Sequence, residues 1–254
     1  MTERVAGVIP ARYGSTRFPG KPLASLWGRP LILHVCDRMA EARRMERFWV
    51  ATDDRRIAEV VTAAGFEARL TPSTCRSGTD RIAASLSPEE PWTVLVNVQG
   101  DEPNIAPGVI DAVAQALLDA PAERGVSTAA TWMTDPAMFE SPHVVKVVCA
   151  PDGRALYFSR AALPSPARLD PAPTVRSRLG LKHLGIYGYR RPVLEAFAHW
   201  SPTPLEQREC LEQLRFLEHG IDIQVALVVH DSIGVDTPEE LKKLEINTPP
   251  RSNG

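Results

Sequence analysis

The chain has 254 residues, of which 44% are hydrophobic and 24% are charged, a composition typical of globular proteins. Its 29 lysine and arginine residues and 31 aspartate and glutamate residues give a net charge of −2. That balance argues against a protein that coats nucleic acid, because such binding needs a basic surface. The longest apolar runs, such as residues 93–98, are far shorter than the ~20 residues that a bilayer requires, so we expect no membrane span.

The N-terminus and the cysteines both favour a cytoplasmic protein. The first residues, MTERVAGVIPARYG, contain no sustained apolar region, so we expect no secretory signal. Cys36, Cys75, Cys149 and Cys210 are widely separated and form no CxxC pair, which favours reduced thiols over a zinc site or a disulfide framework. Only Cys75, in the polar loop TPSTCRSGTDR, is expected to face a ligand.

Strand-like and helix-like segments alternate over the first half of the chain. Such apolar strands, separated by helices, predict a parallel sheet that is covered on both faces. We expect Pro10 to end the first strand, Asp53 or Asp54 to cap the second helix, and Thr79 or Asp80 to cap the third. The predicted strands cover residues 4–9, 48–52 and 93–99, and the helices cover residues 31–42, 57–64 and about 80–86.

The pattern changes beyond about residue 125. Strand-like segments at residues 144–148, 155–159 and 182–189 follow one another without helices between them. This favours a single α/β domain over residues 1–254 with a β-rich insertion at about residues 130–190. The later segments are a helix over residues 204–219, a strand over 221–229 and a final helix that runs through Leu244 and is capped by Thr237 or Asp236.

The predicted helix over residues 204–219 has two faces. Residues three and four apart share a face of a helix, so the spacing predicts one apolar stripe and a neighbouring polar face. The apolar stripe comprises Cys210, Leu211, Leu214 and Leu217, and the polar face comprises Glu206, Glu209 and Gln213.

The loop VIPARYGSTRFPGKPL, which follows the first strand, is the first candidate site. Ligands of open α/β sheets bind at the carboxyl ends of strands, and Gly14 and Gly20 would let backbone N–H groups approach an anion. The loop is not a Walker A motif, because Pro22 stands where that motif has Ser or Thr. A solvated basic loop is the alternative. The cations available to a triphosphate are Arg12, Arg17 and Lys21.

Two aspartates, Asp101 and Asp236, are candidate ligands for Mg²⁺. In NVQGDEP a buried strand delivers Asp101 to its carboxyl end, and Mg²⁺ prefers one or two carboxylates together with phosphate oxygens. The alternative is that Asp101 and Glu102 cap the next helix. In GVDTP, Asp236 is either the cap of the final helix or a second metal ligand, and the spacing does not show whether the two aspartates meet.

One histidine, His183, differs from the others by lying in the motif KHLGIYGYR. The period of a strand places Gly185 and Tyr187 on the same face as His183. Ordinary packing within a strand is the alternative. The remaining histidines have no ligand spacing.

Nine motifs occur in order from residue 8 to about residue 244. They are IPARYGSTRFPGKPL, VATDD, SGTDRIA, VNVQGDEP, VKVV, ALYFSR, KHLGIYGYR, LEQLRFL and GVDTPEEL. Together they resemble one enzyme family, the 3-deoxy-manno-octulosonate (Kdo) cytidylyltransferases, or CMP-Kdo synthetases. The resemblance implies a nucleotide-diphospho-sugar transferase fold, a mostly parallel sheet flanked by helices, with a smaller β-rich lobe that forms a homodimer.

The resemblance also implies a reaction and a set of site residues. CMP would pass from CTP to the anomeric hydroxyl of Kdo with release of pyrophosphate, for lipopolysaccharide or capsule assembly, and Mg²⁺ would be the cofactor. The catalytic residues would be Arg12, Lys21, Asp101 and Asp236, of which Asp101 and Asp236 would bind the metal. The nucleotide would contact Arg12, Gly14, Ser15, Lys21, Ser77, Gly78 and Asp101. The sugar would contact Gln99, Arg160, His183, Tyr187, Glu212 and Gln213, with Arg160 facing its carboxylate.

Three features depart from the family pattern. Cys75 stands where most relatives would have histidine, and Pro72 stands where arginine is common. After Leu163 and Pro164 the chain reads SPARLDPAPTVRSRLG, without the usual aromatic residue and Arg-Asp pair. This last segment would border the sugar pocket, so a modified Kdo or a neuraminate-type acid is the alternative substrate. A catalytically silent nucleotide-binding homologue is the alternative from another class.

Overall fold

The computed structural model describes residues 3–15, 17–165, 178–231 and 234–247. Its strands are β1 (Val5–Ala11), β2 (Ser25–Leu26), β3 (Arg29–Pro30), β4 (Arg47–Thr52), β5 (Ala68–Leu70), β6 (Val94–Asn97), β7 (Arg124–Met133), β8 (Lys146–Cys149), β9 (Ala155–Ser159), β10 (Gly180–Arg190) and β11 (Asp222–Leu227). Its α-helices are α1 (Leu31–Ala40), α2 (Arg55–Ala63), α3 (Gly78–Ala84), α4 (Pro107–Asp119), α5 (Pro136–Glu140), α6 (Arg191–Phe197), α7 (Pro204–Glu209), α8 (Leu214–Glu218) and α9 (Pro238–Asn247). No helix within these ranges is long and apolar enough to cross a membrane.

One large sheet organises the described chain, with the strand order β11-β7-β10-β6-β1-β4-β5. Along this order the neighbours pair in parallel except on both sides of β10, which runs antiparallel to β6 and β7. β8 pairs with β10 and with β9, off the main order. The prediction of a mostly parallel α/β sheet is therefore confirmed, while the division into a domain and a dimerising lobe stays a prediction.

Both faces of the sheet are covered. Along β1, Val5 and Ile9 belong to one buried apolar cluster, and Ala6 and Val8 belong to another. Successive side chains of a strand point to opposite faces, so β1 contributes to a core on each side of the sheet. This explains why its sequence is a nearly continuous apolar run rather than an alternating one.

The prediction that Pro10 ends the first strand is wrong. β1 continues to Ala11, and Pro10 is paired with Ala51 of the parallel strand β4. The Val8 carbonyl accepts from Val98 on the β6 side, and residues two apart in a strand present their polar groups to the same side. The missing N–H of Pro10 therefore faces the β6 side, where pairing has ended at Val8, and no ladder bond is lost.

Helix α3 begins earlier than predicted. Ser77, rather than Thr79 or Asp80, is the N-cap, and its hydroxyl accepts a hydrogen bond from the Asp80 N–H at 3.1 Å. The cap of α2 is Asp54, one of the two predicted candidates, which accepts from the Arg56 N–H. Serine and aspartate are both strong N-caps, so composition alone did not decide among the neighbouring candidates in SGTD.

The continuous helix predicted over residues 204–219 is also wrong. The chain leaves the helix at Cys210, which has a left-handed backbone with φ 53°, so α7 and α8 are separate. The apolar stripe is broken, since Cys210 is exposed while Leu211 and Leu214 are buried. The polar face is broken as well: Glu206 pairs with Arg215, Glu209 accepts hydrogen bonds at the end of β9, and Gln213 is buried.

Candidate functional site

A polar cavity of about 260 Å³ lies at the carboxyl ends of β1 and β6, where the topology of an open α/β sheet favours ligand binding. We call it the charged cavity. Four segments supply its walls: the loop after β1, the loop before α3 with the first turns of that helix, the turn after β6, and the segment before α9. Its lining comprises Pro10, Ala11, Arg12, Ser15, Arg17, Lys21, Pro22, Cys75, Arg76, Ser77, Gly78, Arg81, Gln99, Gly100, Asp101 and Asp236.

Lys21 joins the two candidate metal ligands. Its Nζ donates to Asp101 Oδ2 at 2.6 Å, to the Val235 carbonyl at 2.9 Å and to Asp236 Oδ1 at 3.3 Å. The Val235 N–H in turn donates to the Asp101 carbonyl at 2.9 Å. Asp101 and Asp236, far apart in the sequence, therefore meet at one ammonium group, which the spacing alone could not show.

The interpretation of Asp236 as the cap of the final helix is wrong. Thr237 caps α9, because its hydroxyl accepts from the Glu240 N–H at 3.2 Å and Glu240 Oε2 accepts from the Thr237 N–H at 3.1 Å. This reciprocal pair is a capping box, and it leaves the carboxylate of Asp236 for Lys21 and for Arg17, whose Nη1 lies 3.0 Å from Oδ2.

Asp101 does not cap a helix either. Helix α4 begins after Ala106, so neither Asp101 nor Glu102 is its N-cap. The turn that presents Asp101 depends on Gly100, because a Cβ at that position would lie 2.9 Å from the Pro10 carbonyl oxygen. Only glycine lets the two chain segments approach this closely without a shift of the backbone.

The loop after β1 folds around its own backbone. The Tyr13 carbonyl accepts from the N–H groups of Ser15 and Gly20, both at 2.9 Å, and Gly20 has a left-handed φ of 72°. Arg12 and Ser15 line the charged cavity, whereas Gly14 is not among its lining residues. The cationic loop is therefore turned toward the cavity and is not simply a solvated basic loop.

Two arginines of the cavity, Arg76 and Arg81, were not predicted from the sequence. Arg17 was predicted only as a loop cation for a triphosphate, and its ion pair with Asp236 places it beside the two candidate metal ligands. Arg81 is buried, donates to Thr71 Oγ1 at 2.7 Å and to Asp53 Oδ2 at 3.0 Å, and lines the cavity. An arginine within the apolar-periodic segment of SGTDRIA was the available signal, because a buried arginine needs built partners.

The donor set fits Mg²⁺. Asp101 and Asp236 present carboxylate oxygens to one place in a polar cavity, and Mg²⁺ commonly takes one or two carboxylates and completes its shell with water and phosphate oxygens. Within the described residues no group of three or more histidine, cysteine, aspartate or glutamate side chains could hold a metal without such help. A metal here would therefore be shared with a bound phosphate.

A second group of polar and aromatic residues is formed by α3, β10 and the segment between α7 and α8, and we call it the buried cluster. It comprises Thr79, His183, Tyr187, Tyr189 and Glu212. The rings of His183 and Tyr187 are 5.5 Å apart between centroids, and those of Tyr187 and Tyr189 are stacked at 5.9 Å. Tyr189 Oη lies 3.5 Å from Thr79 Oγ1, and Thr79 donates a hydrogen bond to Glu212. Three of the predicted sugar residues are thus connected by contacts.

Burial favours the neutral forms of these side chains. It lowers the pKa of His183 to about 3, so the imidazole is uncharged at neutral pH. It also raises the pKa of Tyr187 well above its usual value, with added contributions from Tyr189 and Glu212. The pKa of Glu212 is raised mainly by burial, although hydrogen bonds from Thr79 and Ser77 oppose the shift.

The hydrogen bonds of Thr128 define the tautomer of His183. The hydroxyl of Thr128 donates its one hydrogen to the Ile186 carbonyl at 2.7 Å, so its oxygen accepts from His183 Nε2 at 3.0 Å. His183 therefore carries its proton on Nε2, and its Nδ1 is an acceptor. The alternative of ordinary strand packing explains the contact with Phe158 at 5.0 Å, but not this polar anchoring.

The other predicted sugar residues occupy different surroundings. Gln99 lines the charged cavity and donates weakly to Asn97 Oδ1 at 3.4 Å. Gln213 is buried, and its Nε2 finds no partner among the described residues. Arg160 follows β9 and donates to the Glu209 and Pro142 carbonyls. The altered segment after Pro164 lies largely outside the described residues, at positions 166–177.

Cys75 lines the charged cavity, as the sequence predicted for the one cysteine expected to face a ligand. Burial raises the pKa of its thiol, which makes it a weak nucleophile at neutral pH. All four cysteines are free, and Cys36 is buried while Cys210 is exposed.

Comparison with known proteins gives a consistent result. A family model described as cytidylyltransferase matches residues 6–223. The chain is 46% identical over 242 residues to a 3-deoxy-manno-octulosonate cytidylyltransferase of Myxococcus xanthus, with 95% of each chain covered. It is also 46% identical over 247 residues to the enzyme of the same name from Geobacter metallireducens, with 95% of this chain and 96% of the relative covered.

A solved structure agrees with these relatives. A CMP:2-keto-3-deoxy-manno-octonic acid synthetase complexed with CTP superposes with a TM-score of 0.88 and is 39% identical in sequence. The match covers 96% of this chain and 98% of that one, so the similarity extends over the sheet, the charged cavity and the buried cluster.

Proposed function

The chain belongs to the 3-deoxy-manno-octulosonate cytidylyltransferases within the cytidylyltransferase family, and from this we propose that it transfers CMP from CTP to the anomeric hydroxyl of Kdo. In this reaction the sugar oxygen forms a bond to the α-phosphorus of CTP. The bond from that phosphorus to the bridging oxygen of the β-phosphate breaks. Pyrophosphate leaves, and the hydroxyl gives up its proton to solvent water.

One observation carries the proposal for this chain, namely the meeting of Lys21, Asp101 and Asp236 in a cavity lined by arginines. A triphosphate needs cations, and a shared divalent metal needs paired carboxylates beside them. The charged cavity supplies both the cations and the paired carboxylates at the carboxyl edge of the sheet.

Each charged side chain has a separate task in this mechanism. Arg12, Arg17 and Lys21 hold the phosphates and balance the charge that develops on the leaving pyrophosphate. Asp101 and Asp236 would hold Mg²⁺, which polarises phosphate oxygens and lowers the pKa of a bound hydroxyl. When phosphate enters, Lys21 exchanges part of its contact with the aspartates for phosphate oxygens. Positioning and charge neutralisation then account for most of the rate, because little covalent chemistry falls to the protein.

The nucleoside and the sugar contact different walls. Ser77 and Gly78, at the start of α3, seat the cytidine, and Ser15 of the first loop contacts the nucleotide from the opposite segment. The sugar lies between Gln99 and the buried cluster, where His183 Nδ1 accepts and Tyr187 donates hydrogen bonds to its hydroxyls. Glu212 and Gln213 add polar contacts, and the unpaired Nε2 of Gln213 has a donor to offer.

The test is pyrophosphate release with CTP and Mg²⁺. The purified protein is assayed with Kdo, 8-amino-8-deoxy-Kdo, N-acetylneuraminate or no sugar. Release with Kdo supports the proposal in full. Release only with another acid keeps the transfer chemistry and moves the specificity to Cys75 and the segment after Pro164. No release with any sugar, while CTP still binds, indicates a catalytically silent homologue and contradicts the proposal.

We further propose that the enzyme is a cytoplasmic homodimer that supplies CMP-Kdo for lipopolysaccharide assembly. Four free cysteines support a reducing compartment. Support for the dimer comes from large apolar side chains exposed beside the edge strand β11, where Trp132 is 41%, Leu227 60% and Val229 101% exposed. Light scattering of the purified protein tests the dimer, and Leu227→Asp should shift it to the monomer.

A further inference from the structure

Arg160 is held at its backbone and at its side chain before any ligand binds. Its N–H donates to Glu209 Oε2 at 3.0 Å, and its carbonyl accepts from Lys146 Nζ at 2.7 Å. Its Nε donates to the Glu209 carbonyl at 3.0 Å, and its Nη1 donates to the Pro142 carbonyl at 3.1 Å. Two of these four bonds come from one residue, Glu209.

The carboxylate of Glu209 accepts hydrogen bonds from β9, the strand that ends just before Arg160. Its Oε1 accepts from Ser159 Oγ at 2.7 Å and from Tyr157 Oη at 3.4 Å, in addition to the backbone bond at Oε2. Burial alone would raise the pKa of Glu209, but the hydrogen bonds from Arg160, Ser159 and Tyr157 outweigh it and lower the pKa. The hydrogen-bond donors that reach this carboxylate are neutral, and the charge of Arg160 lowers its pKa further.

Lys146 fixes the same backbone from the other side. It is fully buried, and its Nζ donates to the carbonyls of Ser141, Val144 and Arg160 at 2.7–2.8 Å. Three donors meet three acceptors, so a buried ammonium is satisfied without a carboxylate. The residue after β9 is thus anchored at its N–H by Glu209 and at its carbonyl by Lys146.

The charge of Arg160 stays available. Its guanidinium bonds to neutral carbonyls, and within the described ranges it forms no ion pair with a carboxylate. A guanidinium that is oriented by carbonyls but not neutralised is suited to bind an added anion. The strand that ends one residue before Arg160 carries Phe158, whose ring packs on His183 of the buried cluster at 5.0 Å.

Glu209 also lies close in the chain to one member of the buried cluster, Glu212. It is the last residue of α7, and the left-handed turn at Cys210 separates it from Glu212 and Gln213. One short segment therefore anchors Arg160 and presents Glu212. The helix break, which the sequence pattern did not predict, makes this double role possible.

We propose that Glu209 is a positioning residue, which holds the Arg160 guanidinium in place for the carboxylate of the acidic sugar. This inference rests on the proposed function, because it needs an acidic substrate. Glu209 itself touches no substrate and acts through Arg160. A positioned guanidinium loses less freedom on binding, so the gain falls on sugar affinity and not on the nucleotide.

The test separates the Michaelis constants of the two substrates. Glu209→Gln keeps the size of the side chain, but one carboxylate oxygen becomes an amide N–H₂. That group is a donor and cannot accept the hydrogen bond from the hydroxyl or backbone donor that it faces. We expect the KM for Kdo to rise about 10-fold with the KM for CTP unchanged, as for loss of a charge-assisted hydrogen bond. Ser159→Ala leaves Glu209 in place but removes one donor, and it should raise the KM for Kdo by a smaller factor.

Two further measurements show that the effect passes through Arg160. The double variant of Glu209→Gln with Arg160→Ala should have the same KM for Kdo as Arg160→Ala alone, because the two changes remove one interaction. Replacing Kdo with its uncharged C1-amide should cost less affinity in Glu209→Gln than in the wild type. Additive effects, or an equal loss with the amide, would overturn the proposal.

Glu206→Gln is the matched control on the same helix. Glu206 pairs with the buried Arg215 and completes the cap at Thr203, so this variant should lower Tm but leave the KM for Kdo unchanged. If it raises that KM as much as Glu209→Gln does, general loosening of α7 explains both, and positioning is refuted.

Failure of the proposed function gives a different result. A wild type that releases no pyrophosphate with Kdo contradicts the function and removes the basis for positioning as well. A wild type that is active on Kdo, with a KM that Arg160→Ala raises but Glu209→Gln does not, contradicts the positioning role alone.

Discussion

Charge is handled differently in the charged cavity and in the buried cluster. In the cavity, Lys21 forms ion pairs with Asp101 and Asp236, and the three side chains are 13%, 29% and 46% exposed, respectively. In the cluster, His183 is buried, Tyr187 is partly buried, and desolvation favours their neutral forms. Two groups of polar residues on one sheet therefore have opposite electrostatic character.

The difference matches the chemistry proposed for each region. A triphosphate and a divalent metal carry several charges, and partly solvated ion pairs can exchange one partner for another as they bind. Sugar hydroxyls are neutral. Uncharged donors and acceptors can bind them in a buried site without the free-energy cost of removing a charged group from water. The single charge of the sugar would fall to Arg160, one residue beyond the end of β9.

The largest effect is expected at the charged cavity. Asp101→Ala should reduce the rate of pyrophosphate release by about 10²- to 10³-fold, because it removes a metal ligand at the site of developing charge. The fold should survive, since Lys21 keeps its bonds to Asp236 and to the Val235 carbonyl. Asp119→Ala, at the exposed end of α4, is the control. Normal turnover in Asp101→Ala would remove the metal assignment.

A smaller and more selective effect is expected at the buried cluster. Glu212→Gln should raise the KM for Kdo by about 10-fold, because it weakens the bond from Thr79 and the polar contact with the sugar. The KM for CTP should not change. Steady-state kinetics with each substrate varied in turn provide the measurement, and an equal rise in both constants would show that the two regions are not functionally separate.

The neutrality of the cluster predicts a dependence of stability on pH. An unfolded histidine has a pKa near 6.5, and folding lowers the pKa of His183 to about 3, so the unfolded chain alone takes up this proton between those values. Stability is therefore full above pH 6.5 and is lost as pH falls. His183→Asn should remove about 2 kcal/mol of the loss in unfolding free energy between pH 7 and pH 5. Urea unfolding at both values checks this, and an unchanged loss would show that His183 is solvated.

The smallest effect concerns Cys75. CTP should slow the alkylation of this thiol several-fold, because the nucleotide would fill the cavity that Cys75 lines. Cys210 is exposed outside the cavity and is the internal control. Peptide mass spectrometry after iodoacetamide treatment, with and without CTP, reports both. Equal protection of both cysteines would indicate a global change instead.

Local signals predicted much of the fold and part of the site. The sequence pattern predicted the strands β1, β4, β6 and β9. It also predicted the cap at Asp54 and the aspartate after β6. The errors arose where tertiary contacts overrode a local rule. Pro10 stays in β1 because its missing N–H faces an unpaired side, and Cys210 takes a left-handed turn that periodicity does not reveal.

The sequence by itself determined the α/β class and the chemistry-bearing residue types, because backbone hydrogen bonding and apolar periodicity act over a few residues. Only the tertiary structure decided that Asp101 and Asp236 share Lys21, that Arg17 and Arg81 line the same cavity, and that Glu209 anchors Arg160. Those contacts join segments separated by dozens to hundreds of residues. They depend on the order in which the strands pair, with β10 antiparallel between β6 and β7. A local sequence pattern does not determine that order.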